Sequence, residues 1–372
     1  MEGARKILRI FGIDIQLHFS WWIVFFLLTW SLSTAFFPQF FPNNPAYSYW
    51  LMGLAAALLL FVSVLLHELA HSLVAKAMKV KVESITLFFF GGIASINSDE
   101  MKPRAELLMA LAGPLFSLSL SLLFYLTFKN TLNEIIMAIA FYLYQLNFIL
   151  ALFNLVPAFP LDGGRALRAL LYGYYKDLKK ATKIAAFGGK VFAGFLVFLG
   201  IVALFNNLGN GLWFIVLGGF LYFVAGMSYE QVIIKEVLSK IPITGLLKKK
   251  IPTISPQLKF ADFVKKYADT EEDSFLVKGK GFQGIMNTKQ INRMLPQVQQ
   301  LIKVKQLACP INQIVGICKE DNAYTAFKRF AEGNTEILPV WEGKKLLGFV
   351  TRKSLMHRMI WELKYGQIKR KK

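Results

Sequence analysis

The sequence predicts a polytopic α-helical membrane protein of about six transmembrane helices, with a short membrane-associated β segment and a C-terminal soluble α/β domain. Three observations carry this reading. Of the 372 residues 55% are hydrophobic, 34 are Phe, and mean hydropathy is +0.45. That is too apolar for an ordinary soluble domain, and the apolar residues fall in runs long enough to span a bilayer as helices. Basic residues alternate between the runs in one consistent pattern. From about residue 240 the composition turns polar and mixed, and a repeat appears.

The runs place spans at about 18–37, 48–75, 105–128, 133–156, 186–205 and 211–229. The first follows Arg5, Lys6 and Arg9 like a signal peptide, but its apolar region is too long and has no small-residue cleavage site, so it is read as a retained helix. The loop at 38–47 has no Lys or Arg, whereas the segment from Lys76 to Arg104 has five. The loop near 129 carries only Lys129, the segment from Arg165 to Lys183 is rich again, and everything after 231 is basic. Positive residues stay on the cytoplasmic side, so both termini are expected there, in a multi-pass protein of a prokaryotic cell membrane.

The formal net charge of +20 is not a nucleic-acid signature. Residues 231–372 hold 27 Lys and Arg against 12 Asp and Glu, or +15, and the remaining +5 lies among the spans. Basic residues beside spans set topology and meet anionic lipid, so membrane lipid is the expected partner and nucleic acid is not. Cys309 and Cys318, the two cysteines, lie in the polar part without the spacing of a zinc pair.

Between the second and third spans, "VKVESITLFFFGGIAS" (80–95) alternates and clusters β-branched and aromatic residues around Gly91 and Gly92. It reads as one or two strands with a turn or bulge. Such backbone is tolerated at membrane depth only where protein or a water-filled cavity surrounds it. Further on, residues 236–256 read as a basic linker, which divides the chain into 1–235 and 257–372. Within the last part "ADFVKKYADTEEDSFLVKGKGFQGIMNTKQINRML" and "NAYTAFKRFAEGNTEILPVWEGKKLLGFVTRKSLMHRM" both run helix, strand, turn, strand, helix.

The chemistry concentrates in "VLLHELAHSLVAK", residues 64–76. Between Asp14 and Lys76, Glu68 is the only acidic or basic residue. A charge at mid-membrane costs roughly 2.5 to 3.5 kcal/mol on insertion scales, so something must compensate it. His67 and His71 at i and i+4 share one helix face and can reach one ion, with Glu68 beside the place where a metal-bound water would sit; this is the H-E-x-x-H signature. The alternative is a chance match, but two of the chain's four histidines stand here, in an otherwise uncharged span. A helix entering from the outer side near residue 48 puts His67 about 28 Å in, toward its cytoplasmic end.

A catalytic zinc needs a third protein ligand and an open position. Asp162, in "NLVPAFPLDGGR" (154–165), is the best candidate, because the fourth span ends on the same side as the histidine helix. The alternative reading of Asp162 is a turn residue, since Asp-Gly-Gly is good turn chemistry. Asn154 is either interhelical glue or a group that holds the substrate carbonyl or its oxyanion.

Taken together, "HELAH", "FFFGGIAS", "AGP" (112–114) and "NLVPAFPLDGGR" resemble the site-2 protease family of intramembrane zinc metalloproteases over about residues 1–230. The resemblance implies one Zn²⁺ per subunit on His67, His71 and Asp162, Glu68 as general base, and Asn154 assisting at the reacting carbonyl. It implies an endopeptidase acting in regulated proteolysis on a transmembrane protein substrate. Because a helix hides its carbonyls in its own hydrogen bonds, that substrate is expected to unwind, and the strand at 85–95, with Phe90, Gly91 and Gly92, to hold it by edge pairing. The C-terminal repeats resemble a pair of cystathionine-β-synthase-type (CBS) modules, which implies a regulatory domain and a homodimer. Such modules often bind adenine nucleotides through an Asp three residues after a Thr. Here Ser354 follows Thr351 at that spacing, and Asn287 and Gln290 stand in the first repeat, so nucleotide binding and a purely structural module both stay open. Two rival functions are a transporter or channel that uses His67, Glu68 and His71 in an ion path, and an inactive substrate-holding protein. The first needs ionisable residues on several spans, the second a damaged motif.

Overall fold

A computed structural model describes residues 4–89, 91–96, 101–206, 209, 211–249, 251–267, 270, 274–287, 302–333, 335–343 and 345–369. The chain divides into two compact units, Met1–Glu230 and Gln231–Lys372.

The first unit opens with a hairpin, β1 (Ala4–Ile10) and β2 (Ile13–His18), followed by helix α1 (Ser20–Phe40), which contains a π-helical turn over Leu32–Phe36. Helix α2 (Ala46–Ala77) leads into the strands β3 (Val82–Phe88) and β4 (Gly91–Ile96). Then come α3 (Pro103–Asn130), α4 (Glu134–Asn154), the shorter α5 (Asp162–Tyr175), α6 (Leu178–Phe205) and α7 (Gly211–Ser239), whose residues from Gln231 on count with the second unit. Six of these, α1 to α4 with α6 and α7, are long and apolar enough to cross a bilayer. Their outward faces carry large apolar side chains such as Leu122, Leu123, Phe195 and Phe198, as expected where the solvent is lipid.

Helix ends depart from the hydropathy boundaries for a simple reason. Hydropathy marks where lipid lies, whereas helical hydrogen bonding continues through polar turns. The fifth span, expected from 186, begins at Leu178 with Asp177 capping the Lys180 N–H at 3.0 Å. The sixth, expected to end at 229, runs on through "YEQVIIKEVLS" to Ser239.

The 80–95 segment forms the two strands expected of it, and a second hairpin at the N-terminus adds to them. β1 and β2 join β3 and β4 in one sheet of order β1-β2-β3-β4, with β2 parallel to β3 and both hairpins antiparallel. One face of this sheet packs on α2: Ile13, Ile15 and Ile85 are buried against Leu69, with Leu65 and Leu66 alongside. The sheet thereby settles the rotation of the helix that carries the two histidines.

The second unit repeats one small topology twice. In the first copy the short β5 (Thr253–Ile254) precedes helix α8 (Phe260–Tyr267) and the hairpin β6 (Ser274–Gly279) and β7 (Phe282–Asn287), with β5 parallel to β6. β8 (Cys309–Pro310) adds to β7. In the second copy β9 (Ile317–Cys318) precedes α9 (Ala323–Glu332) and the hairpin β10 (Ile337–Glu342) and β11 (Lys345–Thr351), with β9 parallel to β10; α10 (Arg352–Lys369) follows. The closing helix expected for the first copy falls on residues outside those described. Leu238, Ile241, Ile243 and Leu246 pack with Phe330, Leu338 and Val340 in one core. Within the 236–256 stretch, expected as a linker, these four residues thus contribute to the core of this unit.

Leu69→Ala opens a cavity between the sheet and α2, and it is expected to destabilise the protein by about 2–5 kcal/mol. Thermal unfolding in detergent, compared with the exposed Leu73→Ala control, measures the difference.

Candidate metal centre

Helix α2 has two working faces. Leu65 and Leu69 point to the sheet, and His67 and His71, two residues out of phase, point to α3 and α5; both imidazoles are 3% exposed. Asp162 reaches them from the first turn of α5, where a carboxylate is also favoured by the helix dipole. It is a helical residue and not a turn residue. The two glycines after it serve close approach: a Cβ on Gly163 would strike the Leu155 and Val156 carbonyl oxygens, and one on Gly164 the Phe159 backbone. They let α5 fold back tightly against the segment that leaves α4.

Three atoms converge. His71 Nε2 lies 3.1 Å and His67 Nε2 3.3 Å from Asp162 Oδ2, and the two nitrogens are 3.2 Å apart. The other ring nitrogens are already engaged. His71 Nδ1 lies 2.6 Å from the Met109 carbonyl oxygen, which can only accept, so Nδ1 carries the proton and Nε2 offers a lone pair. His67 Nδ1 lies 2.9 Å from Ser117 Oγ. Two imidazole lone pairs and a carboxylate facing one point repel unless a cation stands among them. Ligands about 2.0–2.1 Å from a tetrahedral Zn²⁺ would be roughly 3.3 Å apart, which is the spacing of this cluster. Among the described residues, these three form the one group of His, Cys, Asp or Glu that can hold a metal ion.

Helix α3 forms the opposite wall. Glu106, Met109, Gly113, Ser117 and Ser121 are buried along one stripe, at spacings of three and four. Gly113 is indispensable to the space, since a Cβ there would lie 2.6 Å from His67 Nε2 and closer still to His71 Nε2. The Arg165 guanidinium stands 3.9 Å from Asp162 Oδ1.

Of the other expected residues, Glu68 lies beside the cluster, half-buried, with its side chain against β4: a Cβ on Gly92 would lie 2.5 Å from Glu68 Cγ. Gly91 has φ +124°, a backbone conformation that favours glycine, and pairs with Phe88 at the turn into β4. Phe90 lies outside the described residues. Asn154 ends α4 and donates its amide to the Leu150 carbonyl at 3.0 Å, within its own helix, and is not drawn to the three converging atoms. Sequence reasoning missed Met109, Gly113 and Ser117 as partners of the histidines. "AGP" marked the position of Gly113, and the small and polar residues recurring every three or four along an apolar span were the signal for the rest.

A multi-pass membrane fold that gathers two imidazoles and a carboxylate at the end of its second long helix belongs to the class of intramembrane metalloenzymes. Comparison with known proteins narrows the class. The model of peptidase family M50 matches residues 55–133 and 127–199. Zinc metalloprotease MJ0392 of Methanocaldococcus jannaschii is 31% identical over 373 residues, 98% of each chain. Rip3 of Mycobacterium tuberculosis is 30% identical over 360 residues, 94% of this chain and 91% of that protein. Among solved structures, the site-2 protease from Methanocaldococcus jannaschii is 31% identical and covers 60% of this chain and 94% of that one, with a TM-score of 0.41. The chain belongs to peptidase family M50, and it is an intramembrane zinc metalloendopeptidase of the site-2 protease type.

Gly113→Ala should abolish stoichiometric zinc binding while leaving the helical circular dichroism unchanged, because the added methyl occupies the ligands' space. Metal analysis of the purified protein gives the answer, and full zinc content would remove Gly113 from the site.

Proposed function

We propose that the enzyme cleaves peptide bonds within or near transmembrane segments of membrane proteins, with His67, His71 and Asp162 holding one Zn²⁺ and Glu68 as general base. The convergence of the two Nε2 atoms with Asp162 Oδ2, beside an otherwise isolated Glu68, is the observation that carries this reading. When bound, zinc polarises the scissile carbonyl and makes water acidic enough to attack near neutral pH. Glu68 accepts the proton of the attacking water and passes it to the leaving amine, so the chain ends as a carboxylate and an amine and Glu68 returns to its starting state. The Met109 carbonyl holds His71 in the tautomer that presents Nε2. Asn154 assists at the reacting carbonyl with the N–H that its bond to the Leu150 carbonyl leaves over.

A transmembrane helix hides its carbonyls in its own hydrogen bonds, so the substrate segment must unwind. β4 is the last strand of its sheet, and Gly92 on it lies against Glu68. A segment adding to that edge would satisfy its backbone there and pass the base. Phe90, Gly91 and Gly92 are its proposed contacts. The alternation of basic segments supports a reading in which both termini lie in the cytoplasm of a prokaryotic cell, with the active site toward the cytoplasmic side.

The region from about 257 to 372 serves as a CBS-type regulatory and homodimerising pair after the 1–235 protease domain. Its doubled topology supports this reading. At the position of a ribose-binding Asp, Ser354 donates instead to the Thr351 carbonyl at 2.9 Å, which weighs against adenine nucleotide binding at that repeat. The ion-path alternative has less support, since the ionisable groups concentrate on α2 and the start of α5.

Glu68→Gln should retain zinc and lose cleavage of a membrane substrate in proteoliposomes by about 10²–10⁴-fold. Retained turnover would exclude Glu68 as the base, and ion flux without cleavage in the wild type would favour the ion path.

A further inference from the structure

Two more ionisable side chains are buried beside the proposed centre without touching it. Glu106, in the first turn of α3, is 4% exposed, and the Arg168 side chain on α5 is 15% exposed. Arg168 Nε donates to Glu106 Oε1 at 2.8 Å, and Nη2 donates to the same oxygen. The guanidinium also lies 4.8 Å from the centre of the Phe159 ring, in the segment leading to Asp162.

The placement of this pair is more informative than its strength. A buried ion pair is a weak source of net stability, because desolvating two charges offsets most of their attraction. Its donors are directional, however, and a planar guanidinium that puts two N–H groups on one carboxylate oxygen beside an aromatic ring is restricted in its orientation. Glu106 stands one turn before Met109, whose carbonyl orients His71, on the stripe that continues to Gly113 and Ser117. Arg168 stands six residues beyond Asp162 on a helix that starts with that ligand, so a small slide or rotation of α5 moves Oδ2 directly. We infer that Glu106 and Arg168 are positioning residues: their pair fixes the register of α5 on α3 and so holds Asp162 Oδ2 against the two histidine nitrogens. This rests on the proposed His67–His71–Asp162 centre.

The test uses the full-length protein in detergent, with zinc affinity measured by chelator competition and the thermal midpoint of the zinc-free protein as the fold control. In the paired variant Glu106→Leu/Arg168→Met no buried charge is left alone, so the fold should be kept. Zinc affinity is expected to fall by about tenfold to a hundredfold, the usual effect of removing groups that orient metal ligands. Arg168→Lys, which keeps the charge and loses the planar two-point grip, should give a smaller loss and covers the case in which the paired variant does not fold. Wild-type zinc affinity in the folded paired variant, or in Arg168→Lys if the former does not fold, overturns the inference. Asp162→Ala is the reference: undiminished affinity there overturns the metal centre itself, whereas loss there with wild-type affinity in the pair variants overturns only the positioning role.

Discussion

The unit that binds this protein's fold to its chemistry is the convergence of two imidazole nitrogens and one carboxylate oxygen within 3.3 Å, inside a membrane domain. Three lone-pair groups in a buried site repel one another, so their proximity has to be imposed by the surrounding packing until a cation compensates it. Most features of the first unit can be understood as that imposition. The sheet fixes the rotation of α2, α3 presents a stripe of small and polar residues to both histidines, and Gly163 and Gly164 bring the start of α5 within reach.

The same arrangement separates two tasks along a single helix. His67 and His71 look toward α3 and α5, while Glu68 looks toward β4 and Gly92. The proposed ligand side is closed by protein, and the base stands at a strand edge. A helix is well suited to this, because adjacent residues project about 100° apart. The β segment is sheltered by α2 on one face, and in the proposed function its last strand receives the substrate segment.

Much of this could be read from residues alone, and the remainder has identifiable causes. The six spans followed from apolar run length, and "HELAH" from spacing combined with the cost of a lone Glu68 in lipid. Asp162 followed from topology, since positive residues put it at the same end as the histidines. The N-terminal hairpin was hidden because Arg5, Lys6 and Arg9 read as a topology signal, although alternation around Phe11-Gly12 marked a turn that the structure shows with both residues at positive φ. Asp-Gly-Gly looked like turn chemistry, whereas its glycines serve close approach within a helix. Gly113, Met109 and Ser117 act through distances to another helix, and a single span's sequence records only that it is small and polar along one stripe. The second copy of the doubled unit was legible from its strand and turn pattern, because a repeat states its own boundaries.

The central claim is that zinc sits among His67, His71 and Asp162, and zinc K-edge X-ray absorption on the purified, zinc-loaded protein tests it most directly. Two imidazole ligands and oxygen donors at about 2.0–2.2 Å, with the imidazole scattering lost in His67→Ala and His71→Ala, is the predicted result. Sulfur at about 2.3 Å, which would implicate Cys309 or Cys318, or imidazole scattering that persists in both variants, would contradict it.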